Sequence, residues 1–575
     1  MLKLICFLKA YRKSIFFVLV LVFFQSFSQL YLPTLLSDIV DVGIVQGDTD
    51  YILKIGVIML LVAAGGTICS VVANYLSSQV ATGFAKDIRR KVFSHVESYS
   101  LHNFNKIGTA SLITRTTNDI TQVQQVTLMI LRMMVSAPMM CIGGIIMAVS
   151  QDAKLSLLLI VVIPLITAII LVVSRKSLPL FKLIQVKLDK LNLVLRERLT
   201  GIRVIRAFNR TEYEKARFVD ANADLTNTAI KVNRIMAVLM PTMMLIMNFT
   251  TIAIIWFGGL RIEAGEMQVG SLMAYIQYVM QILFSLLMVS MMFVMIPRAS
   301  ASAIRVNEIL EITNSIKDPE KKDSAIIKSG LLEFRNVTFS YPGAEQPALK
   351  NISFQAKPGE VTAIIGSTGS GKSTLINLIP RFFDIDSGSI LVDGTNILDL
   401  SQENLRKEIG FVPQKALLFT GTVNDNIKHG KKEATKEEIQ QAAITAQAEE
   451  FINSMTDGYN SLIAQGGINL SGGQKQRLSI ARALVRKPRI YLFDDSFSAL
   501  DYKTDAKLRA ALKDETADAT VMIVAQRVNT IMNADKIIVL DEGQIVGMGP
   551  HQELIKNCEI YREIVSSQLS EEVIA

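Results

Sequence analysis

Gly366, Gly371, Lys372 and Ser373 stand in the stretch VTAIIGSTGSGKSTLINLI, and their spacing, G-x-x-x-x-G-K-S, is that of a loop built to hold phosphate. Apolar Val361 to Ile365 read as a strand, Gly366 to Lys372 as a loop, and Ser373 opens a helix. Glycines let successive backbone N–H groups curl round an anion, and the helix start adds the positive end of its dipole. The candidate nucleotide contacts are therefore Gly366, Ser367, Thr368, Gly369, Ser370, Gly371, Lys372, Ser373 and Thr374. Lys372 faces the β- and γ-phosphates in this reading, and the Ser373 hydroxyl ligates Mg²⁺. Further on, IYLFDDSFSALD delivers Asp494 and Asp495 at the end of an apolar run, Ile490 to Phe493. Asp494 is placed to hold Mg²⁺ opposite Ser373, and Asp495 raises the question of a catalytic base.

Two more stretches carry the same chemistry. Tyr341, in FSYPG, lies 25 residues before Gly366, in a turn able to lay its ring over adenine, although aromatic residues near strands more often fill cores. In LSGGQKQRLSIARAL, Ser471, Gly472 and Gly473 precede a helical pattern, a second helix start stripped of bulk and suited to an anion. One nucleotide cannot use both ends from one chain unless the fold brings them together.

The elements that position these residues fall in two halves. The chain has 575 residues, too many for one hydrophobic core. A mean hydropathy of +0.35 is high for a soluble enzyme, and the apolar excess sits ahead of about residue 300. Six stretches there have the length a bilayer requires, at about 14–36, 51–83, 128–150, 154–174, 236–259 and 270–296. The first follows Lys9, Arg12 and Lys13, but it is too long for a secretory signal and no small-residue cleavage site closes it. The net charge of +8 falls largely in loops, where positive-inside topology accounts for it, so no nucleic-acid partner is expected. Ser37 to Asp50 carries only acidic charge and faces outward. Lys86 to Lys91 and the basic stretch Arg175 to Arg234 face inward, which puts both termini in the cytoplasm of a multi-pass protein of the bacterial plasma membrane.

The inward segments are longer than turns need. LDKLNLVLRERLTGIRVIRAF, at 188–208, reads as a charged helix carrying the membrane helices into the cytoplasm, with Asn103–Ser111 and Asn209–Phe218 as polar turns at the tips. Methionines gather on two spans, Met236, Met240, Met243, Met244 and Met247, then Met280, Met288, Met291, Met292 and Met295; thioethers there either pack between helices or line an apolar binding wall. Arg132 is the main charge inside a span. Cys6, Cys69, Cys141 and Cys558 form no close pair, and His95, His102, His429 and His551 are scattered, so neither a disulfide framework nor a histidine metal site is expected.

Gly366–Thr374, Gln414 in FVPQ, Leu470–Gln474, Asp494 and Ser498–Asp501 together resemble the nucleotide-binding domain of an ATP-binding cassette (ABC) transporter, and six spans fused ahead of it resemble the exporter half-transporters of multidrug type. The resemblance covers essentially the whole chain. It implies an all-α six-helix transmembrane domain with long intracellular helical extensions (1–315), a linker (316–330), and an α/β P-loop ABC nucleotide-binding domain (331–575). It also implies that two such chains pair head to tail, each ATP lying between one phosphate loop and the other chain's LSGGQ. On that pattern Tyr341 stacks on adenine, Gln414 reaches Mg²⁺ and the attacking water, and Ser471, Gly472, Gly473 and Gln474 contact the partner's ATP. Asp501 belongs to a loop that communicates across the dimer, and the two polar tips correspond to coupling helices.

The departures from the family are as informative. Where the family usually has a catalytic glutamate stands Asp495, one methylene shorter, which withdraws the carboxylate by up to about 1.5 Å. Gln526, in TVMIVAQR, replaces the switch histidine, and Gln465, in IAQGG, stands where related exporters often carry glutamate. The expectation is a degenerate ATP site in one half of a heterodimer, whose partner supplies the catalytic Glu and His. The cargo expected is amphipathic or hydrophobic; a lipid or peptide exporter, or an ATP-gated channel or regulatory subunit, are the alternatives.

Overall fold

The computed structural model describes residues 2–319 and 327–568, so part of the expected linker, 320–326, and the end of the chain, 569–575, lie outside the described residues. The chain divides into two compact units, one reaching from the start to Glu97 and from Thr109 to Ile312, the other comprising Ser98–Gly108 and Thr313 onward.

Six helices long and apolar enough to cross a membrane make up the first unit: Lys3–Ile44, Thr49–Glu97, Thr109–Gln151, Leu157–Thr200, Thr211–Glu263 and Val269–Glu311. Each contains its expected span except the fourth. There Asp152 accepts the Leu155 N–H at 2.8 Å, which holds 152–156 as a turn, and the helix starts at Leu157 rather than 154. At 1.5 Å per residue the 49-residue second helix is about 73 Å long, over twice the ~30 Å hydrocarbon core. The charged extension of this helix is thus a continuation of its apolar span.

The tip of the second hairpin differs from expectation. The helix from Leu157 stops at Thr200, a short helix follows at Ile202–Ala207, and Thr211 already begins the fifth long helix. The polar turn expected at Asn209–Phe218 is therefore short and sits at 208–210, with Asn209 left-handed at φ 53°. The signals were Gly201 and Asn209, residue types that end helices. The first tip, expected at Asn103–Ser111, is a short helix at Leu101–Ile107 that ends at Gly108 inside the second unit, and Thr109 already begins the third long helix. Its Ser100 hydroxyl caps the Asn103 N–H, and Asn103 Nδ2 donates to the Thr313 carbonyl at 3.2 Å.

In the first unit the fourth and fifth helices run side by side and join the others through Leu159, Val162, Ile166, Met243, Ile246 and Ile254, packed against Tyr275, Tyr278 and Ile282 of the sixth. Asp41 accepts the Gly270 and Ser271 N–H groups at 2.5 and 2.9 Å, placing a carboxylate at the start of the sixth helix. The methionines of the fifth helix divide between the two alternatives: Met243 is buried, whereas Met236, Met240 and Met244, four residues apart, form an exposed stripe. Arg132 is tied to the second helix, its Nε donating to Ser77 Oγ at 3.1 Å and its NH2 to the Asn74 carbonyl at 3.3 Å.

The strands described in the second unit are β1 (Leu332–Phe339), β2 (Leu349–Ala356), β3 (Val361–Gly366), β4 (Ser387–Val392), β5 (Thr395–Asn396), β6 (Ile409–Val412), β7 (Gly421–Thr422), β8 (Leu462–Ile463), β9 (Ile490–Asp494), β10 (Thr520–Val524), β11 (Lys536–Asp541) and β12 (Gln544–Gly549). An antiparallel sheet runs β2-β1-β4-β5, and a six-stranded sheet runs β12-β11-β3-β10-β9-β6, parallel except for β12. Helices cover the larger sheet, so its inner strands are apolar on both faces; all of β9 and β10 is buried. Val524 pairs with both Ile364 and Asp494, so β10 and β9 end at one level and β3 runs two residues further, to Gly366. The carboxyl ends of parallel strands are where such sheets place a ligand.

Candidate functional site

β3 leads into the phosphate loop because two of its glycines stand where a side chain does not fit. A Cβ at Gly366 would lie 2.0 Å from the Leu540 carbonyl, and Gly371 is left-handed at φ 99° with the Ala348 carbonyl 2.9 Å from where its Cβ would be. Ser367, Thr368 and Gly369 form the exposed tip, and the helix Lys372–Leu378 starts directly behind them. Lys372 is buried and folds back on the loop, donating to the Gly366 and Ser367 carbonyls at 2.8 and 2.7 Å. Burial pulls its ammonium below the usual lysine range, opposed by the charges of Asp495 and Asp494. The buried Ser370 hydroxyl has no hydrogen-bond partner among the described residues. A glycine loop running into a helix start, a lysine and an orphaned hydroxyl fit a polyphosphate.

Ser373 Oγ donates to Asp494 Oδ1 at 3.0 Å, which joins two of the three expected metal ligands; the third, Gln414, turns its amide nitrogen to Asp495. Ser373 and Asp494 are hard oxygen donors, and no group of three or more His, Cys, Asp or Glu able to hold a metal occurs among the described residues. Two protein oxygens completed by phosphate and water suit Mg²⁺, which keeps most of its hydration, rather than a closed protein cage. Burial raises the carboxyls of Asp494 and Asp495 above the ordinary aspartate range. A divalent cation beside them reverses that shift.

Asp495 stands one residue beyond β9, in the left-handed region at φ 47°. Its N–H donates to the Val524 carbonyl at 2.9 Å, and its own carbonyl accepts from Ser498 Oγ at 2.9 Å. Its carboxylate Oδ2 accepts two side-chain amides, Gln414 Nε2 at 3.3 Å and Gln526 Nε2 at 3.1 Å. Two residues distant in sequence thus converge on one oxygen of Asp495. A carboxylate so engaged is oriented and has one oxygen occupied before any water arrives.

Tyr341 lies beyond β1. Its ring meets Phe339 and Phe383 edge-on at 5.0 and 5.4 Å, its hydroxyl shares a hydrogen bond with Thr374 Oγ1 at 3.0 Å, and it stays 38% exposed. The ring is thereby fixed to the helix that follows the phosphate loop. Sequence reasoning missed this tether to Thr374, which spans 33 residues and has no local signal, and the Ser498 contact, a serine reaching back three residues to a carbonyl, which is a local pattern.

The turn at Ser471 is a helix cap in its own right. Ser471 Oγ accepts the Gln474 N–H at 3.3 Å and Gln474 Oε1 accepts the Ser471 N–H at 2.9 Å, a reciprocal box readable as S-x-x-Q. Gly472 faces open space, and a Cβ on Gly473 would press to 3.1 Å from the Ala499 carbonyl. Asp501 caps the helix Tyr502–Glu515, accepting the Thr504 N–H at 3.0 Å. No described hydrogen bond joins Ser471–Gln474 to the phosphate loop, Asp494 or Asp495, so the chain builds two separate anion-directed ends.

Comparison with known proteins agrees with this division. Residues 15–286 match the family described as ABC transporter transmembrane region, and residues 349–498 match the family described as ABC transporter. An uncharacterized ABC transporter ATP-binding protein of Mycobacterium tuberculosis is 42% identical over 565 residues, 98% of this chain and 97% of that one. An ATP-dependent lipid A-core flippase of Syntrophus aciditrophicus is 31% identical, covering 91% of this chain and 86% of its own length. The fold is also that of a bacterial Atm1-family ABC exporter solved with ATP bound, with a TM-score of 0.81 at 24% identity, over 97% of this chain and 99% of the other. The chain belongs to the ABC transporters that fuse a six-helix membrane domain to a nucleotide-binding domain in one polypeptide.

Proposed function

We propose that this chain is one half of a heterodimeric ABC exporter that moves amphipathic or hydrophobic compounds of multidrug type across the bacterial plasma membrane by alternating access, its termini in the cytoplasm. Its own phosphate loop holds ATP in a degenerate site, and its Ser471–Gln474 turn completes a competent site on the partner half-transporter. The observation that carries the reading is the Gln414–Asp495–Gln526 constellation, in which a shortened acid is held by two amides and no imidazole.

Each residue then has a task. The loop N–H groups and Lys372 bind and orient the phosphates; Tyr341 supports adenine; Ser373, Asp494 and Gln414 hold Mg²⁺. Bound there, Mg²⁺ neutralises charge on the phosphate oxygens. Asp495 orients water from a carboxylate about 1.5 Å short of where glutamate would place it, and a misplacement of about 1 Å costs on the order of 10²-fold in rate. Gln526 is able to donate a hydrogen bond to phosphate but carries no titratable proton at neutral pH.

Support for a partner comes from the cytoplasmic tip of the second hairpin. Leu199, Val204 and Phe208 are 72%, 61% and 74% exposed, beyond the apolar part of their helices, where lipid does not reach. Covering each would contribute about 2 kcal/mol. A lipid cargo is the second reading, favoured by the relative named as a lipid A-core flippase and by the exposed stripe Met236, Met240 and Met244.

The experiment is ATPase assay of this chain purified alone and co-purified with its partner from native membranes, across a panel of amphipathic drugs and lipids. Low turnover alone, restored and stimulated in the complex, is expected. Vigorous hydrolysis by this chain alone would refute the division of labour.

A further inference from the structure

Gln568, on the helix Glu559–Gln568, makes a two-point contact with the backbone that carries Gln526. Its Nε2 donates to the Gln526 carbonyl at 2.8 Å, and its Oε1 accepts the Val528 N–H at 2.9 Å. One side-chain amide thus gives that segment both a donor and an acceptor, as a neighbouring strand would. Val528 opens a short helix, Val528–Ile531, whose own cap residue, Arg527, supplies no side-chain hydrogen bond. The Gln568 oxygen takes that role from a distant part of the chain.

The contact rests on a rigid base. Tyr561 and Val565 of the same helix are fully buried in the core that also contains Ala525, Val528 and Ile531, and the Tyr561 hydroxyl meets His551 Nδ1 at 2.7 Å. Residues 561, 565 and 568 follow the i, i+4, i+7 spacing of one helix face. From elsewhere, Arg509 NH1 donates to the Asn529 carbonyl at 3.1 Å while its NH2 pairs with Asp505 at 3.0 Å. The backbone from Gln526 to Asn529 is consequently held at several points, and the Gln526 side chain projects from it to Asp495. Gln568 itself is exposed and adds little apolar burial, so anchoring of the helix falls to Tyr561 and Val565. What the Gln568 amide adds is the register of the Gln526 segment.

We propose that Gln568 is a positioning residue for this chain's nucleotide pocket. By fixing the Gln526 backbone it sets where the Gln526 amide stands against Asp495, and the helix Glu559–Gln568 thereby governs how long nucleotide remains bound. The proposal rests on the reading of that pocket as a slow ATP site.

The test uses the assembled full-length pump carrying Gln568→Ala or Gln568→Glu, with release of radiolabelled ATP as the readout and azido-ATP labelling to identify which chain holds it. The glutamate variant still accepts from Val528 N–H but cannot donate to the Gln526 carbonyl. Both variants should release ATP from this chain about tenfold faster, the scale of one net hydrogen bond, with an unchanged thermal midpoint and unchanged turnover at the partner's pocket. In a Gln526→Ala background, Gln568→Ala should add nothing. Unchanged release in Gln568→Ala where Gln526→Ala accelerates it, additive effects of the two, or a lowered thermal midpoint with normal release each overturn the positioning role. Unchanged release in Gln526→Ala overturns it together with the slow-site reading, which separates the two failures.

Discussion

The phosphate loop at Gly366–Lys372 and the turn at Ser471–Gln474 are both glycine-rich helix starts, yet they treat their polar atoms in opposite ways. Around the first, long-range contacts converge: Lys372 on two loop carbonyls, Ser373 on Asp494, Tyr341 on Thr374, and two glutamines on Asp495. Around the second, the side-chain hydrogen bonds described for Ser471 and Gln474 run to each other's backbone N–H, Gly472 faces open space, and Ile468 and Tyr502 nearby are exposed. One end is furnished by its own chain and the other is finished as a bare helix cap. The contrast is what a composite site requires when each chain gives a pocket and a lid.

The largest expected effect breaks the furnished end alone. Lys372→Ala removes a buried cation and its charge-assisted contacts, each worth about 1.5–3 kcal/mol, so ATP affinity at this chain's pocket should fall by about 10²-fold. Azido-ATP labelling of the assembled pump checks this: this chain should lose its label and the partner keep its own. Equal loss in both chains would mean that the two pockets are not separately built.

How much of that contrast could be read beforehand depends on distance along the chain. The phosphate loop, the S-x-x-Q box and the six spans are local patterns, and each is legible because glycine, capping and hydropathy signals act within a few residues. The extension of the fourth membrane helix is legible in part: the charged pattern of 188–208 carries the helix past its apolar span of 154–174, while hydropathy, which reports only the part in contact with lipid, marks neither its start at Leu157 nor its stop at Thr200. The tip at Ile202–Ala207 was misplaced toward 209–218 because charged residues on both sides look alike, and only Gly201 and Asn209 mark the breaks. Gln568 left no trace at all, since its partners lie 40 and 42 residues away and an exposed glutamine is otherwise ordinary.

The next effect would sharpen the comparison by making the two pockets alike. Asp495→Glu combined with Gln526→His should raise single-turnover hydrolysis at this chain's pocket by about 10- to 100-fold, the range set by repositioning a carboxylate and restoring a general acid–base group. The measurement uses a pump whose partner pocket has been inactivated. A cost accompanies the gain. Asp495 is left-handed, a conformation that aspartate tolerates better than glutamate, so the double variant should be less stable by about 1 kcal/mol. Stability lost without any gain in hydrolysis would mean that the shortened acid is not what limits the site.

The smallest effect concerns the bare cap. Ser471→Ala removes the oxygen that accepts the Gln474 N–H and leaves in place the return bond from the residue-471 backbone N–H to Gln474 Oε1. Loss of such a cap costs about 1 kcal/mol of helix stability, which a thermal melt of the purified pump would register as a shift of a few degrees at most. The functional consequence should appear elsewhere. If the turn lids the partner's ATP, turnover at the partner's pocket should fall about tenfold, while release of ATP from this chain's own phosphate loop stays as before. A change confined to this chain's own pocket would reverse the assignment, because no hydrogen bond described in the chain links Ser471 or Gln474 to Lys372, Ser373 or Asp494. An effect of this turn on the partner but not on its own chain therefore discriminates a composite site from a self-contained one more sharply than any loss of total activity.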